Sequence, residues 1–324
     1  MQLKLNLSLK GVLFKLMTLL VALNTQAQTA SNTPIKIIVP FAAGSYTDNV
    51  IRIVIPEVTQ KLNTPIIIDN KPGANGVIGA DLVAKAAPDG NTLLMGGASI
   101  NAVNPSLFKK LPYDPVNDLV PLTRFGTLPF VLVTNPNVPV KNMAELLAYL
   151  KANPQKLAYA TPNSVSLVAM ETFKKGTNTD ILSIPYKSSP QALLDLVSGQ
   201  VQIMVSDYAT AMPHINTNKL NVIAVTMNKR TTLLPNTPSI SETIQGYDIS
   251  AWNGLFAPKG TSPELLDKIN KSFIYVLGSK SIKEKLTTIG FEINPLGPDK
   301  FGAYVEQQIK TWSELIKQTG IDPE

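Results

Sequence analysis

Short apolar runs alternate with longer amphipathic stretches along most of this chain, and that alternation confines it to the α/β class. Residues 35–39 read IKIIV and stop at Pro40, the length and composition of a buried strand. Residues 47–62 carry helical spacing, with Pro56 expected to kink or divide the helix. A strand at 65–69, a helix at 76–87 and a strand at 92–95 follow. Pro88-Asp89-Gly90 between the last two is a turn: a fixed φ, then side-chain bonding, then a positive φ.

A second set of units begins near Pro129. Strands are expected at 130–134, 157–160, 181–184, 202–205 and 222–226, with helices at 142–151, 164–175, 190–198 and about 209–217. From 247 to 256 the chain is extended and aromatic; helices then dominate, at 263–277, 282–288 and 298–317. There is no internal repeat of fixed period. Crossings near 122–129 and 244–247 divide the chain into one lobe of 28–125 with 246–324 and a second of 126–245. Small ligands bind in clefts between such lobes and at the C-terminal ends of parallel strands.

The first thirty residues read as an address. Lys4, Lys10 and Lys15 carry positive charge, residues 12–23 are apolar, and Thr25 and Ala27 fit the small-x-small rule of a secretory cleavage site. The apolar stretch is shorter than the roughly 20 residues that span a bilayer. Residues 1–27 are expected to be a signal peptide, cleaved after Ala27, giving a periplasmic product. Removing those three lysines lowers the formal charge from +6 to +3. The remaining lysines are scattered rather than gathered in a stripe, so nucleic acid is not an expected partner.

With no cysteine, the chain has no disulfide framework, thiolate catalyst or lipid-bearing N-terminal cysteine. The single histidine, His214, rules out a His-rich metal site. No metal and no cofactor is expected. A mature length of roughly 300 residues exceeds what one core usually serves.

Ile37-Ile38-Val39-Pro40-Phe41-Ala42-Ala43-Gly44, followed by Thr47-Asp48, resembles the first loop of the tripartite tricarboxylate transporter receptors, the Bug-type periplasmic solute-binding proteins. Further blocks follow in the family's order: Asp69-Asn70-Lys71-Pro72-Gly73-Ala74 with Gly76 and Ile78-Gly79-Ala80, then Ala87-Pro88-Asp89-Gly90 with Thr92-Leu93-Leu94-Met95. Asn104-Pro105-Ser106-Leu107, Leu111-Pro112-Tyr113-Asp114-Pro115, Ile184-Pro185-Tyr186-Lys187, Gly199-Gln200-Val201, Pro213-His214-Ile215 and Leu234-Pro235 with Pro238 continue the match. Each block is weak alone; their number and order make chance agreement improbable. The resemblance implies a two-lobed α/β fold of the type II periplasmic-binding class, a Venus flytrap with two interdomain crossings. It implies a monomeric, non-enzymatic receptor that hands a small carboxylate to inner-membrane transporter subunits. The implied ligands are di- or tricarboxylates, acidic amino acids or aromatic acids, held by loop backbone groups and waters rather than by an arginine clamp.

The residues give a physical reason for an anion. The first loop ends a strand and opens a helix, where unpaired N–H groups and the helix dipole favour negative charge. Phe41, Ala42, Ala43, Gly44, Ser45, Tyr46, Thr47 and Asp48 are therefore candidate binding residues, although Thr47 or Asp48 equally suits a simple cap. Thr161, Asn163, Ser164 and Ser166 form a second such loop, again open to a capping reading. Tyr186 and Lys187 stand at a strand end, and Asp207 either accepts from a ligand amine or hydroxyl or caps the following helix. Ser99 and Asn101 are candidates for the distal end of the ligand. Arg52, Arg124 and Arg230, the only arginines, are expected to be structural or at the surface. Gly44-Ser45-Tyr46 replaces the family's usual run of glycines, so Tyr46 is expected to narrow the site or stack on a flat acid.

Other readings are weaker. Ser106-Leu107-Phe108-Lys109, Ser206-Asp207-Tyr208 and Lys259-Gly260-Thr261 approximate a penicillin-binding serine hydrolase, but the third element is permuted. Gly73, Gly76 and Gly79 lack the spacing of a dinucleotide fingerprint. A carboxylate sensor subunit without a transport role would share the receptor's site.

Overall fold

The apolar run Ile35–Val39 forms strand β1, flanked by parallel partners β2 (Ile66–Asn70) and β3 (Thr92–Gly97). Ile37, Ile38 and Val39 are fully buried, as a strand covered on both faces requires. The structure, a computed structural model, describes residues 33–231 and 233–323. The expected signal peptide and its cleavage after Ala27 lie outside the described residues. Helix α1 (Tyr46–Leu62) follows β1 as one helix running through Pro56, and α2 (Val77–Ala84) follows β2 after a 3-10 turn at Ala74–Gly76. A π-helical turn, Ser99–Val103, and the short α3 (Asn104–Leu107) follow β3.

Strand β4 (Leu119–Thr134) connects two halves of the sheet. Its residues 119–129 pair antiparallel with β9 (Ser250–Pro258), and 130–134 pair with β7 (Ile203–Asp207) and β8 (Asn221–Val225). The strand order is β2-β1-β3-β9-β4-β7-β5-β6, with β8 and also β10 (Glu292–Leu296) joining at β4. The sequence reading found only the second half of β4, because Pro121, Gly126 and Pro129 interrupt the first. Register shifts between Pro121 and Thr123 and between Arg124 and Gly126 absorb those residues, as bulges do. At Gly126 an added Cβ would meet the Glu292 carbonyl at 2.0 Å, so only glycine admits β10 there.

The second half of the sheet is built from β5 (Ala158–Thr161), parallel to both β6 (Leu182–Pro185) and β7. Its helices are α4 (Met143–Ala152), α5 (Ser164–Thr177), α6 (Ser189–Ser198) and α7 (Tyr208–Asn216). The chain then returns through β9 to α8 (Pro263–Leu277), α9 (Lys280–Thr288) and α10 (Pro298–Thr319). Helix α10 buries Phe301, Val305, Trp312 and Ile316, and packs on β4 and on α5. Each parallel strand β1, β5 and β7 leads directly into a helix, which places several helix starts at one edge of the sheet.

Candidate functional site

Those helix starts meet at a central cavity. Ser45, Tyr46 and Thr47 at the start of α1, Asn163 and Val165 at α5, Ser189 at α6, and Asp207 at α7 all line it. The first loop and the start of α6 lie close together: a Cβ on Gly44 would stand 4.0 Å from Pro190 Cγ. Phe41, Phe130 and Trp252 supply apolar wall, and Gly97, Ala98, Ser99, Ala251 and Asn253 complete the lining. The centre of a water-sized sphere has about 40 Å³ to move in, roughly three waters' worth.

An adjoining cavity shares Phe41 and Asn163 with the central one and is larger, about 330 Å³ by the same measure. It is lined by Thr161, Tyr186 and Lys187 and by the turn 73–76. That turn holds four successive residues at positive φ, Gly73 (137°), Ala74 (45°), Asn75 (52°) and Gly76 (86°). The candidate residues therefore divide. Phe41, Ser45, Tyr46, Thr47, Ser99, Asn163 and Asp207 line the central cavity, whereas Thr161, Tyr186 and Lys187 line only its neighbour.

Several candidates line neither cavity. Ala42, Ala43 and Gly44 carry the chain from Phe41 to the start of α1. Asp48 is buried and accepts from Gly44 N–H at 2.9 Å, Arg52 Nε at 2.8 Å and Asn70 Nδ2 at 2.9 Å. Burial alone would raise its pKa, but hydrogen bonds from Arg52, Gly44 and Asn70 together hold it below the usual value. Asp48 thus shapes the first loop from behind. Asn101 accepts from Gly97 N–H at 3.0 Å, and Ser164 donates to Asn104 Oδ1. Ser166 N–H donates to Asn163 Oδ1 at 2.9 Å, capping α5.

Two of the polar lining residues, Asp207 and Tyr46, have ionisation shifted by burial. Asp207 caps α7, its Oδ1 accepting from Thr210 N–H at 2.8 Å and from the Thr210 hydroxyl. Burial pushes its carboxyl upward, against the lowering pull of the two Thr210 bonds and of a bond from its own backbone N–H. Tyr46 packs its ring 6.0 Å from that of Phe291, and its buried hydroxyl has no hydrogen-bond partner among the described residues. Burial raises the phenol pKa; nearby Asp207 adds to this and Arg124 opposes it.

Trp252, Asn253 and Phe130 escaped the sequence reading as site residues. The usable signal was Asn253, a polar side chain within an otherwise apolar run. Its Nδ2 donates to Gly96 O at 3.1 Å and to Thr47 Oγ1 at 3.4 Å, leaving Oδ1 buried with no hydrogen-bond partner among the described residues. None of the arginines lines the cavity. Arg52 pairs with Asp48, Arg230 with Glu242, and buried Arg124 donates to Asn294 O, Thr127 Oγ1 and Tyr304 Oη. Ser106, Ser206 and Thr261 of the serine-hydrolase pattern line neither cavity. Among the described residues no cluster of three or more acidic or histidine side chains fits a metal ion. No helix among them is long and apolar enough to cross a membrane.

Residues 50–321 match the family model described as the tripartite tricarboxylate transporter family receptor. The protein BugT of Bordetella pertussis is 34% identical over 306 residues, covering 93% of each chain. Among solved structures, R. palustris Rpa4515 with adipate superposes with a TM-score of 0.87 at 31% identity, over 90% of this chain and 99% of that one. MatC from Rhodopseudomonas palustris with bound malate gives 0.80 at 29% identity, over 87% and 98%. The resemblance and the two-lobed α/β fold read from the sequence are thereby established: this chain belongs to the tripartite tricarboxylate transporter receptor family of periplasmic solute-binding proteins.

Proposed function

We propose that this chain captures a small carboxylate in the periplasm and delivers it to inner-membrane subunits of a tripartite tricarboxylate-type transporter. The observation that carries the reading is the convergence of the α1, α5 and α6 starts on one cavity. Unpaired first-turn N–H groups and helix dipoles at such a place favour an anion. Each dipole contributes about 0.3–2 kcal/mol, against about 8 kcal/mol for micromolar affinity. Hydrogen bonds to the ligand's charge, strengthened as closure excludes water, supply the remainder. Adipate and malate in the two related structures are both small carboxylates.

Phe41, Ser45, Tyr46, Thr47, Ser99, Asn163 and Asp207 are the proposed contacts, with Tyr186 and Lys187 reaching the far end of a longer ligand. Lobe 1 is 28–125 with 246–324, lobe 2 is 126–245, and β4 carries the chain between them as one hinge strand. Residues 1–27 direct export and are removed. A thermal-shift series over mono-, di-, tri- and aromatic carboxylates tests the reading. The right acid at a hundredfold excess over Kd stabilises by about 2.7 kcal/mol, and a flat response to every acid sinks it.

A further inference from the structure

Trp252 is the largest apolar side chain in the lining of the central cavity, and it is 1% exposed. A buried indole has one polar group to satisfy, its Nε1–H. Trp252 Nε1 donates to Gln308 Oε1 at 3.3 Å, and the same oxygen accepts from Trp312 Nε1 at 3.2 Å. These are the only two tryptophans in the chain. An indole nitrogen can only donate, so both bonds require the oxygen end of the amide and fix which way Gln308 faces. Gln308 itself lines neither the central nor the adjoining cavity.

The rest of the grip on Trp252 comes largely from the same helix. Phe301, Tyr304, Gln308 and Trp312 recur at helical spacing and share one face of α10. The rings of Phe301 and Tyr304 meet the Trp252 ring edge-on, each 5.5 Å from it centre to centre. Tyr304 is held in turn by strand β4, whose Arg124 lies 4.4 Å over its ring. Trp252 thus meets the cavity and α10 at once. Apolar burial is non-directional and lets a ring slide in its slot, whereas a hydrogen bond has a direction and sets the ring's angle. The space beside it is small, about 40 Å³ for the centre of a water-sized sphere, so a slight turn of the indole alters a large share of it.

We propose that Gln308 is a positioning residue for ligand selection: from behind the wall it fixes the Trp252 ring, and thereby the size of acid that the cavity accepts. This rests on the carboxylate-receptor reading and adds to it a determinant of specificity that no ligand touches.

Titration calorimetry of the mature protein with succinate, glutarate, adipate and benzoate, and with any tighter acid from the wider panel, tests the proposal. In Gln308→Met the side chain fills much the same space but accepts only weakly, so both indole N–H groups lose their partner. The spread in affinity between the best and the poorest acid is expected to narrow about three- to tenfold. Gln308→Ala, which also lacks the acceptor, is the second such variant should methionine not be accommodated. Gln308→Glu keeps an oxygen acceptor and should retain the parent's order among the three diacids, even where its charge weakens them all. Trp252→Phe keeps a ring without an N–H, so adding Gln308→Met to it should change the ranking no further. A ranking unchanged when the acceptor is removed would overturn the inference, even if the melting temperature falls, because Gln308 would then serve the fold alone. So would an effect that persists in full in the Trp252→Phe background, since it would not pass through Trp252. Either result leaves the receptor reading standing; if no acid binds the parent, both fall together.

Discussion

The Ser164 hydroxyl donates to Asn104 Oδ1, and Asn104 Nδ2 donates in turn to Asn75 O at 3.1 Å. Ser164 opens α5 beside β5, while Asn104 opens α3 and Asn75 lies in the positive-φ turn after β2. Ser164 and Asn104 are fully buried, so each broken link leaves a polar atom without water. Ser164→Ala and Asn104→Ala are each expected to cost about 1–3 kcal/mol in urea unfolding. Because the links share one residue, the double variant should lose less than the sum of the two. Simple additivity would show that the two hydrogen bonds are independent of each other.

Asp48 gathers Gly44, Arg52 and Asn70 on one carboxylate, so it fixes the loop that leads into Ser45 and Tyr46. Asp48→Asn is expected to cost about 1–2 kcal/mol at neutral pH, Arg52 being half exposed and partly screened. The native pKa lies below its unfolded value, so this stabilisation is complete above about pH 4. It is lost as pH falls through the depressed folded value. Urea midpoints of the two proteins should therefore converge on acidification from pH 6 to 3. A gap that stays constant would mean that Asp48 acts through shape rather than charge.

Where sequence and structure agree, the local physics was sufficient. IKIIV reads as a buried strand, and Asn163 and Asp207 act as the N-caps of α5 and α7, whereas α1 is capped by Ser45 rather than by Thr47 or Asp48, which lie inside its first turn. That placed several helix starts around one cavity. The sequence could not separate Thr161, Tyr186 and Lys187 from Asn163 and Asp207, since all stand at strand ends. Only the three-dimensional course of the chain places Thr161, Tyr186 and Lys187 in the adjoining cavity alone, Asp207 in the central one and Asn163 in both. Strand β10 was missed because Glu292, Asn294 and Pro295 break the apolar pattern; it forms by pairing at its edge with β4 beside Gly126. Asn253 was missed because an amide inside an aromatic strand shows its unpaired oxygen only once Gly96 and Thr47 are seen to hold the other end.

Tyr46 separates stability from function. Its hydroxyl is buried with no hydrogen-bond partner among the described residues, which costs stability. Tyr46→Phe should therefore keep or raise the melting temperature of the ligand-free protein while weakening ligand binding several-fold. Tyr46→Gly removes a ring packed on Phe291 and should cost about 3–5 kcal/mol. It should also shift preference toward bulkier acids. Calorimetry across acids of increasing size checks this, and an unchanged ranking in Tyr46→Gly would remove the residue from any part in specificity.

Asn253 offers a test in which size is held constant. Its Nδ2 serves Gly96 O and Thr47 Oγ1, so an isosteric Asn253→Asp places an acceptor against the Gly96 carbonyl. At neutral pH this variant is expected to unfold about 1–3 kcal/mol more easily than the parent. A protonated carboxyl can donate where the amide did, so burial beside an acceptor raises the folded pKa of the new acid. Its proton is bound more tightly in the folded state, and the deficit should shrink as pH falls below that raised value. Thermal melts from pH 8 to 4 would show the two proteins drawing together. If instead Asn253→Asp is as stable as the parent at pH 8, the amide is turned the other way, and its oxygen does not face the cavity as an unmatched acceptor.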